Sequence, residues 1–330
     1  MTTIKEVARR AGVSVTTVSR VLNHRGYISS EMYQKVGQAM KELNYRPNEL
    51  ARSLLRQSSR LIGVLVPIID NPFFGEVVSQ LIRVATARGY KIILYCSGSD
   101  PSSSAQDYVN MLEANQVDGI ILCLNTREID EKLDRRLPVV SFERYRLETL
   151  PTVSCDNRQG GELAARELLR CGCRHPVMAG LWDDPWMPAY ERYTAFCDVM
   201  RAAGMPYGLV EAGECGRQAD YARLARLVFE RYPQTDGVFC TSDHVATYIL
   251  QQAARTGRRI PQDVKVVGFN DNSLASMLNP PLTSVRQPLE KMCEAAVDLL
   301  IRQIQGEEVP QETVLPVTLH RRESTRIFPE

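Results

Sequence analysis

A short run of small hydroxylated residues that ends in an arginine follows a glycine turn near the N-terminus. It spans residues 14–20 and reads Ser-Val-Thr-Thr-Val-Ser-Arg. Serine and threonine hydroxyls can hydrogen-bond phosphates or base edges without blocking close approach, and an arginine can form two hydrogen bonds with a guanine. These residue types therefore fit contact with duplex nucleic acid. A helical bundle used only for protein contacts is the alternative.

A second set of candidate residues, aromatic and polar, follows several apolar runs in the rest of the chain. Aromatic rings pack on the apolar faces of sugars, and carboxylates, amides and arginines pair with hydroxyl groups. The set therefore fits a sugar site, although the Asp-Asn pairs could equally be turns and the tryptophans surface packing. Its members are Asp70, Asn71, Phe73, Phe74, Glu143, Arg144, Asp156, Asn157, Trp182, Trp186, Arg192, Asp243, Asn270 and Asp271.

The first set requires a helix that presents it, and the sequence around it predicts three short helices. Thr3 and Glu6 have the spacing of a capping box, and Gly12 is expected to end the first helix. Ser14 can cap the second helix, and a third is predicted between about residues 29 and 44. Two helices around a glycine turn, closed by a third, make a helix-turn-helix unit whose second helix can enter a major groove.

Charge is unevenly distributed along the chain. The net charge is +1, but residues 1–60 contain eleven basic and four acidic residues, a net charge of +7, which leaves −6 for the remainder. Because lysine and arginine neutralise phosphates, a cationic head on a mildly acidic body indicates a polyanionic partner for the head. A solvated basic surface without a partner is the alternative.

A short segment at residues 47–60 joins the head to the body. Pro47 ends the preceding helix, and the helix formers after it are too few to hold a helix alone, since helices shorter than about 12 residues are marginal in water. The segment therefore either needs a partner in order to fold or is a plain linker.

From Leu61 onwards, apolar runs of strand length alternate with helical patterns. The predicted strands are 61–69, 91–96, 119–124, 138–142, 177–181, 237–241 and 264–269, and the predicted helices include 75–88, 160–169 and 244–256. Continuous apolar strands that alternate with helices indicate parallel sheets covered on both faces. An echo of residues 117–122 in residues 235–240 indicates two similar doubly wound halves, with a ligand cleft at the carboxyl ends of the strands.

Composition and motifs exclude several classes of protein. No apolar run reaches the roughly 18 residues that span a bilayer, and the N-terminus lacks the apolar core of a secretory signal. A cytoplasmic protein without membrane contact is therefore expected, rather than a solute-binding protein for transport. The nine scattered cysteines are expected to be mostly buried free thiols without a zinc site. Without a nucleotide-binding, hydrolase or zinc-protease motif, neither an enzyme nor a cofactor is expected.

The N-terminal string is similar to the DNA-binding head of the lactose-repressor (LacI/GalR) family of bacterial regulators. The similar string is residues 3–23, TIKEVARRAGVSVTTVSRVLN. The resemblance implies that Val15, Thr16 and Arg20 read base edges. It implies phosphate contacts for five further residues, Ser14, Thr17, Ser19, Asn23 and Tyr45. It also implies that residues 47–60 hold a hinge helix that orders when two copies pair over the operator, with Leu54 wedged between base steps in the minor groove.

The resemblance continues through the body, at residues 70–74, 117–121, 156–161, 242–243, 261–264, 267–271 and 321–325. It implies a periplasmic-binding-protein-like effector domain. The predicted effector-binding residues are Asp70, Asn71, Phe73, Phe74, Arg144, Trp186, Arg192, Asp243 and Asn270. Two departures from the family bear on the ligand: Glu143 stands where many sugar-responsive members have aspartate, and Trp186 and Met187 replace more usual polar residues.

The predicted architecture is an all-α helix-turn-helix head at 1–46, a hinge helix and linker at 47–60, and an α/β effector-binding and dimerisation domain at 61–330. The body is expected to hold two doubly wound parallel-sheet subdomains, about 61–158 with 288–316 and about 159–287 with 317–330. The predicted function is a homodimeric transcriptional repressor that binds double-stranded operator DNA. A small-molecule effector, a mono- or disaccharide that acts as an inducer, would control its operator affinity allosterically. A co-repressor-dependent regulator of the same fold is the alternative.

Overall fold

The structure is a computed structural model that describes residues 2–23, 27–45, 58–97, 105–124, 137–143, 150–182, 187–211 and 218–327. The predictions for Leu54, Arg144, Trp186 and the side chain of Asn23 lie outside the described residues. The chain divides into two compact units, Met1–Ser59 and Arg60–Glu330, here called the head and the body.

Three helices make up the described part of the head: α1 (Ile4–Ala11), α2 (Val15–Asn23) and α3 (Ser30–Glu42). The capping box predicted for α1 is present, since the Thr3 hydroxyl accepts the Glu6 N–H and the Glu6 carboxylate accepts the Thr3 N–H. Gly12 ends α1 with a φ of +67°, in the left-handed region that a residue with a Cβ adopts at a cost.

A small apolar core holds the three helices of the head together. Val7 of α1, Val18 of α2 and Val36 of α3 are fully buried and belong to one cluster. Each helix thus buries one face, and burial of apolar area stabilises the unit by about 25 cal/mol per Å². The opposite face of α2 remains accessible to solvent.

The body contains two six-stranded sheets. Its described strands are β1 (Leu61–Val66), β2 (Lys91–Cys96), β3 (Gly119–Leu122), β4 (Val139–Phe142), β5 (Thr152–Cys155), β6 (Pro176–Gly180), β7 (Gly208–Glu211), β8 (Gly237–Cys240), β9 (Lys265–Asn270), β10 (Thr283–Arg286), β11 (Glu312–Leu315) and β12 (Thr318–His320). The first sheet has the order β11-β5-β4-β3-β1-β2, and the second has the order β12-β10-β9-β8-β6-β7.

Nearly all neighbouring strands are parallel, and the pair β10–β12 is antiparallel. β1 pairs with β2 and β3, with Val64 opposite both Leu94 and Ile121. The described strands pass from the first sheet to the second after β5, return after β10, and cross again after β11. The predicted fold class, a helix-turn-helix head with a body of two doubly wound parallel-sheet subdomains, is confirmed.

Helices cover the sheets of the body. They are α4 (Pro72–Ala87), α5 (Ala105–Ala114), α6 (Asn157–Arg170), α7 (Pro188–Ala202), α8 (Gln218–Arg231), α9 (Asp243–Arg255), α10 (Ser273–Met277) and α11 (Leu289–Ile304). No helix among the described residues is long and apolar enough to cross a bilayer. In the first subdomain α4 packs on α11, and in the second α8 packs on α9.

The close packing of α6 against α7 positions a residue of the candidate site. A Cβ at Gly161 of α6 would overlap the backbone carbonyl oxygen of Arg192 of α7. Because the overlapping atom belongs to the backbone, it cannot move aside cheaply. Gly161 therefore lets α7 approach closely enough to bring the Arg192 side chain over the end of the second sheet.

Candidate functional site

The exposed face of α2 is the first candidate site. Ser14 caps the helix, since its Oγ accepts the Thr17 N–H at 3.0 Å and lies 2.9 Å from the Thr17 Oγ1. Val18 and Val21 point into the head core, whereas Val15 is 40% exposed. The residues predicted to read bases, Val15, Thr16 and Arg20, are therefore exposed together on the outer face of one helix.

Charges around this face leave the Arg20 guanidinium available. Arg10 pairs with Glu42, and Lys35 pairs with Glu31 at 2.8 Å, so these two cations are partly neutralised within the head. Arg20 pairs with no carboxylate in the described part of the chain. Tyr45, predicted to contact phosphate, is half-buried and packs against the head core.

Arg192 is a buried charged side chain at the carboxyl edge of the second sheet. It is 8% exposed, its Nε donates to the Asn157 Oδ1 at 2.7 Å, and its Nη1 donates to the Thr241 carbonyl oxygen at 2.8 Å. Its guanidinium lies 3.6 Å from the centroid of the Phe269 ring. Burial lowers the pKa of the Arg192 guanidinium from its usual value. Arginine is not deprotonated in proteins at physiological pH, so Arg192 remains a cation despite this shift.

A carboxylate from the first subdomain faces Arg192. The Glu143 Oε2 lies 3.5 Å from the Arg192 Nη2, and both side chains are more than nine-tenths buried. The Glu143 Oε1 is engaged elsewhere, because it accepts the Cys155 N–H at 2.5 Å. Glu143 itself has a φ of +49°, so the backbone holds it in a fixed turn after β4. The guanidinium and the carboxylate belong to different subdomains, and their separation is slightly longer than that of a short ion pair. One hydroxyl group could therefore accept from the guanidinium and donate to the carboxylate.

Asn270, the last residue of β9, lies with the turn that follows it at the same edge of the second sheet. Asn270 and Asp271 have φ values of +107° and +54°, which are unusual for residues other than glycine. The Asn270 Oδ1 accepts from the Gln287 Nε2 at 2.9 Å, and the Asp271 carboxylate pairs with the Arg322 Nη1 at 2.6 Å and the His320 Nδ1 at 3.0 Å. These contacts hold a strained turn in one conformation.

Asp243 lies beneath this turn and is fully buried. Its Oδ2 accepts the Asn272 N–H at 2.9 Å, and its Oδ1 accepts the Ser284 hydroxyl at 2.5 Å. Both carboxylate oxygens are therefore engaged by the protein, so the structure places Asp243 as a support of the turn. Burial raises the pKa of Asp243 to about 7, against the opposing effect of its two hydrogen bonds.

The shifted pKa of Asp243 predicts a pH-dependent stability. The folded pKa lies above the usual 3.8, so the folded chain binds this proton more tightly than the unfolded chain. The stabilisation is complete below pH 4 and is lost as the pH rises through about 7. Between pH 5 and 8 the loss amounts to about 3 kcal/mol.

Asp243→Asn removes this titration, so the Tm of the variant should change less between pH 5 and 8 than the Tm of the wild type. Thermal unfolding followed by circular dichroism at one-unit pH steps measures both curves. Parallel curves for the two proteins would show that Asp243 does not titrate in this range.

Aromatic side chains pack in pairs on both subdomains. Phe73 and Phe74 begin α4 and contact each other edge to face with a centroid distance of 5.3 Å. In the second subdomain, the buried Trp182 stacks on Tyr193 at 5.4 Å with the rings nearly parallel. Phe73 and Trp182 are buried, and Phe74 and Tyr193 are half-buried beside them.

Two further predicted effector residues, Asp70 and Asn71, lie directly before α4. Asn71 caps α4, with its Oδ1 accepting the Phe73 N–H at 3.0 Å, and Asp70 is exposed. The described site also contains residues that the sequence did not single out. Tyr193 lies within α7, and Gln287 lies in the segment that joins β10 to α11. No sequence motif marks either residue. Their positions in the chain were the one signal that could have identified them: Tyr193 directly follows Arg192, and Gln287 directly follows β10.

Comparisons with known proteins agree with these two sites. Residues 3–48 match the family model described as bacterial regulatory proteins, lacI family, and residues 165–325 match that of a periplasmic binding protein-like domain. The ribose operon repressor of Halalkalibacterium halodurans is 38% identical over 99% of this chain and 98% of its own length. The sucrose operon repressor of Streptococcus mutans is 35% identical over 97% of this chain and 98% of its own length.

A solved structure is also similar to this chain. It is a periplasmic binding protein/LacI transcriptional regulator from Alkaliphilus metalliredigens complexed with D-xylulofuranose. The identity is 30%, the TM-score is 0.72, and the match covers 81% of this chain and 99% of the other.

Proposed function

Because the chain belongs to the lacI family of bacterial regulatory proteins, we propose that it is a transcriptional repressor whose affinity for operator DNA is controlled by a small sugar. The observation that carries the proposal is the exposed face of α2, where Val15, Thr16 and Arg20 stand together on a capped helix. No second class of function is favoured by an observation on this chain.

DNA recognition rests on α2 in the major groove. Val15 and Thr16 contact base edges at the start of the helix, and the Arg20 guanidinium reaches the edge of a guanine about one turn later. Ser14, Thr17, Ser19, Asn23 and Tyr45 hold phosphates. The protein acts in the cytoplasm as a homodimer on a partly symmetric operator, with Leu54 of each hinge in the minor groove.

Effector recognition rests on the pair formed by Arg192 and Glu143. A sugar hydroxyl accepts from the Arg192 Nη2 and donates to the Glu143 Oε2, the two atoms that lie 3.5 Å apart. Asn270 binds a second hydroxyl, and the aromatic residues of α4 and α7 pack on the ring. Asp243 acts through the turn that it supports. Arg144 and Trp186 are assigned to the same site from the family resemblance.

The sugar acts as an inducer. Since Glu143 and Arg192 belong to different subdomains, a ligand that bridges them favours one arrangement of the subdomains over another. Its effect on operator affinity is limited by its differential affinity for the two arrangements, typically about 1 to 3 kcal/mol. The named relatives direct the choice of sugars to test: D-ribose, sucrose and D-xylulose.

Arg20→Ala is expected to lower the affinity for the operator about 10- to 100-fold, because a bidentate contact with a base is worth about 1–3 kcal/mol. Gel shifts with operator and with unrelated duplex measure the change. Lys35→Ala is the matched control, since it removes one positive charge of the head from α3 instead of α2. If both variants lose the same affinity for both duplexes, Arg20 contributes charge and not sequence recognition.

Selection from a random duplex pool tests the proposed function directly. The full chain should enrich a partly symmetric sequence, and the slope of log K against log salt should show the release of several counterions. Failure to enrich any duplex at low salt would contradict the proposal.

A further inference from the structure

A hydrogen bond joins the segment directly after the candidate effector turn to a helix of the other subdomain. The Ser273 N–H donates to the Glu76 Oε1 at 2.7 Å. Glu76 lies in α4, which packs on the first sheet, and Ser273 begins α10, directly after the turn at 270–272. The bond therefore crosses between the two subdomains of the body.

The Ser273 N–H needs an acceptor from outside its helix. The first N–H groups of a helix have no partner within it, and in α10 the Asn272 Oδ1 caps the Leu274 N–H at 3.0 Å. A carboxylate is a favourable acceptor at a helix N-terminus, and bonds to a charged acceptor are stronger than neutral ones. Glu76 thus satisfies a donor that α10 leaves open.

Both ends of the bond belong to rigid structures. On one side, Asp243 and Ser284 hold the turn at 270–272 through the Asn272 and Asp271 N–H groups. On the other side, α4 carries Phe73 at its start and packs along α11. A hydrogen bond is lost once its atoms separate beyond about 3.5 Å. Any displacement of the subdomains that separates these two atoms beyond that distance breaks the bond between Glu76 and Ser273.

We infer that Glu76 is a positioning residue that couples the effector turn to the first subdomain. A contact made in one of two arrangements shifts the equilibrium between them by its own free energy. The bond is exposed and contributes little to global stability. Its removal should nevertheless shift the balance of arrangements about 5- to 10-fold, the range expected of a charge-assisted bond at a partly exposed site.

The test compares Glu76→Ala with two matched variants of the full chain. Glu76→Gln keeps an acceptor oxygen at the same position but loses the charge, so it should retain most of the wild-type behaviour. Glu290→Ala removes a neighbouring carboxylate that pairs with Arg83 at 2.6 Å, but Arg83 and Glu290 both lie in helices of the first subdomain. It therefore controls for loss of charge without loss of a contact between subdomains.

Hydrogen–deuterium exchange resolved to the Ser273 amide is the first measurement. In Glu76→Ala this amide should exchange at least about 10-fold faster, while the Leu274 amide, capped within the turn, should change little. Glu290→Ala should leave both amides as in the wild type, and Glu76→Gln should speed exchange at Ser273 much less than Glu76→Ala does. An unchanged Ser273 amide in Glu76→Ala would overturn the inference, whether or not the chain binds DNA.

Operator affinity of the sugar-free chain is the second measurement, and it rests on the proposed function. With a duplex selected by the wild type, Glu76→Ala should change Kd about 5- to 10-fold, and the two matched variants should stay within about 2-fold. Faster exchange at Ser273 with an unaltered operator Kd would refute the coupling. If the wild type selects no duplex, the proposed function fails while the exchange experiment still decides the role of Glu76.

Discussion

Arg192→Leu should lower the affinity for the inducing sugar at least about 100-fold and leave operator affinity nearly unchanged. A guanidinium has five N–H groups, and those directed at Asn157, Thr241 and Glu143 use three of them. We expect the N–H groups of Nη2, next to Glu143, to be the ones that reach sugar hydroxyls. Each charge-assisted hydrogen bond is worth about 1.5 to 3 kcal/mol, and a loss of about 3 kcal/mol corresponds to roughly 100-fold in affinity.

Two further variants separate this role from a general effect on the fold. Arg201→Leu removes a mostly exposed arginine that lies in the same helix and pairs with Asp198. The sugar affinity of this variant should match that of the wild type. Arg192→Lys keeps the charge but loses the planar fork, and it should retain little sugar affinity. Titration of tryptophan fluorescence with sugar, next to thermal unfolding, measures binding and folding together. A folded Arg192→Leu variant with wild-type sugar affinity would exclude Arg192 from the site.

Glu167→Ala should lower the free energy of unfolding of the body by about 3 kcal/mol, because it removes several charge-assisted hydrogen bonds whose arginine partners then remain partly solvated. The Glu167 carboxylate is fully buried. It accepts from the Arg170 Nε at 2.9 Å, the Arg321 Nε at 2.8 Å and the Thr325 Oγ1 at 3.0 Å. These bonds attach the C-terminal segment, with its short 3-10 helix at Glu323–Thr325, to α6.

The pKa of Glu167 gives the same network a pH dependence. Although burial acts in the opposite direction, the hydrogen bonds from Arg170, Arg321 and Thr325 hold this pKa below its usual value. The stabilisation is therefore present above the usual carboxyl pKa of about 4.5 and is lost as the pH falls through the folded pKa. Urea unfolding at pH 7 measures the effect of Glu167→Ala.

Glu162→Ala is the control for Glu167→Ala, because Glu162 lies in the same helix but is partly exposed and pairs loosely with Arg158 at 3.5 Å. It should cost at most about 0.5 kcal/mol. Equal losses in the two variants would mean that the buried network contributes no more than a surface pair.

The helices of the head could be predicted from the sequence because their signals act within a few residues. The capping box of Thr3 and Glu6 and the glycine stop at Gly12 depend on the local backbone alone. The strands were predicted less exactly. β1 ends at Val66, before the predicted 69, because Pro67 follows and has no N–H to donate to a neighbouring strand.

Several strands of the body escaped prediction because their burial depends on distant segments. β5 reads Thr-Val-Ser-Cys, and it is buried between β4 and β11, although β11 lies more than 150 residues later. β10 reads Thr-Ser-Val-Arg and is covered by the C-terminal segment. Neither pattern is apolar enough to signal a buried strand on its own.

In the candidate site, too, the sequence predicted the positions along the chain but not the contacts between distant residues. Topology placed Asn270 and Asp243 at strand ends, since parallel strands present their carboxyl ends at one edge. The sequence could not tell that Asp243 uses both oxygens for Ser284 and the Asn272 N–H, or that Gln287 holds Asn270. These contacts join positions that are 17 to 41 residues apart in the chain.

Fluorescence anisotropy of a labelled duplex tests most directly whether this chain holds DNA under the control of a sugar. The duplex is one selected by the full chain, and D-ribose, sucrose and D-xylulose are titrated at fixed salt into the complex of wild type and of Arg192→Leu. We expect one of the sugars to release the duplex from the wild type and not from Arg192→Leu. Release by the same sugar from both proteins, or from neither, would contradict the account.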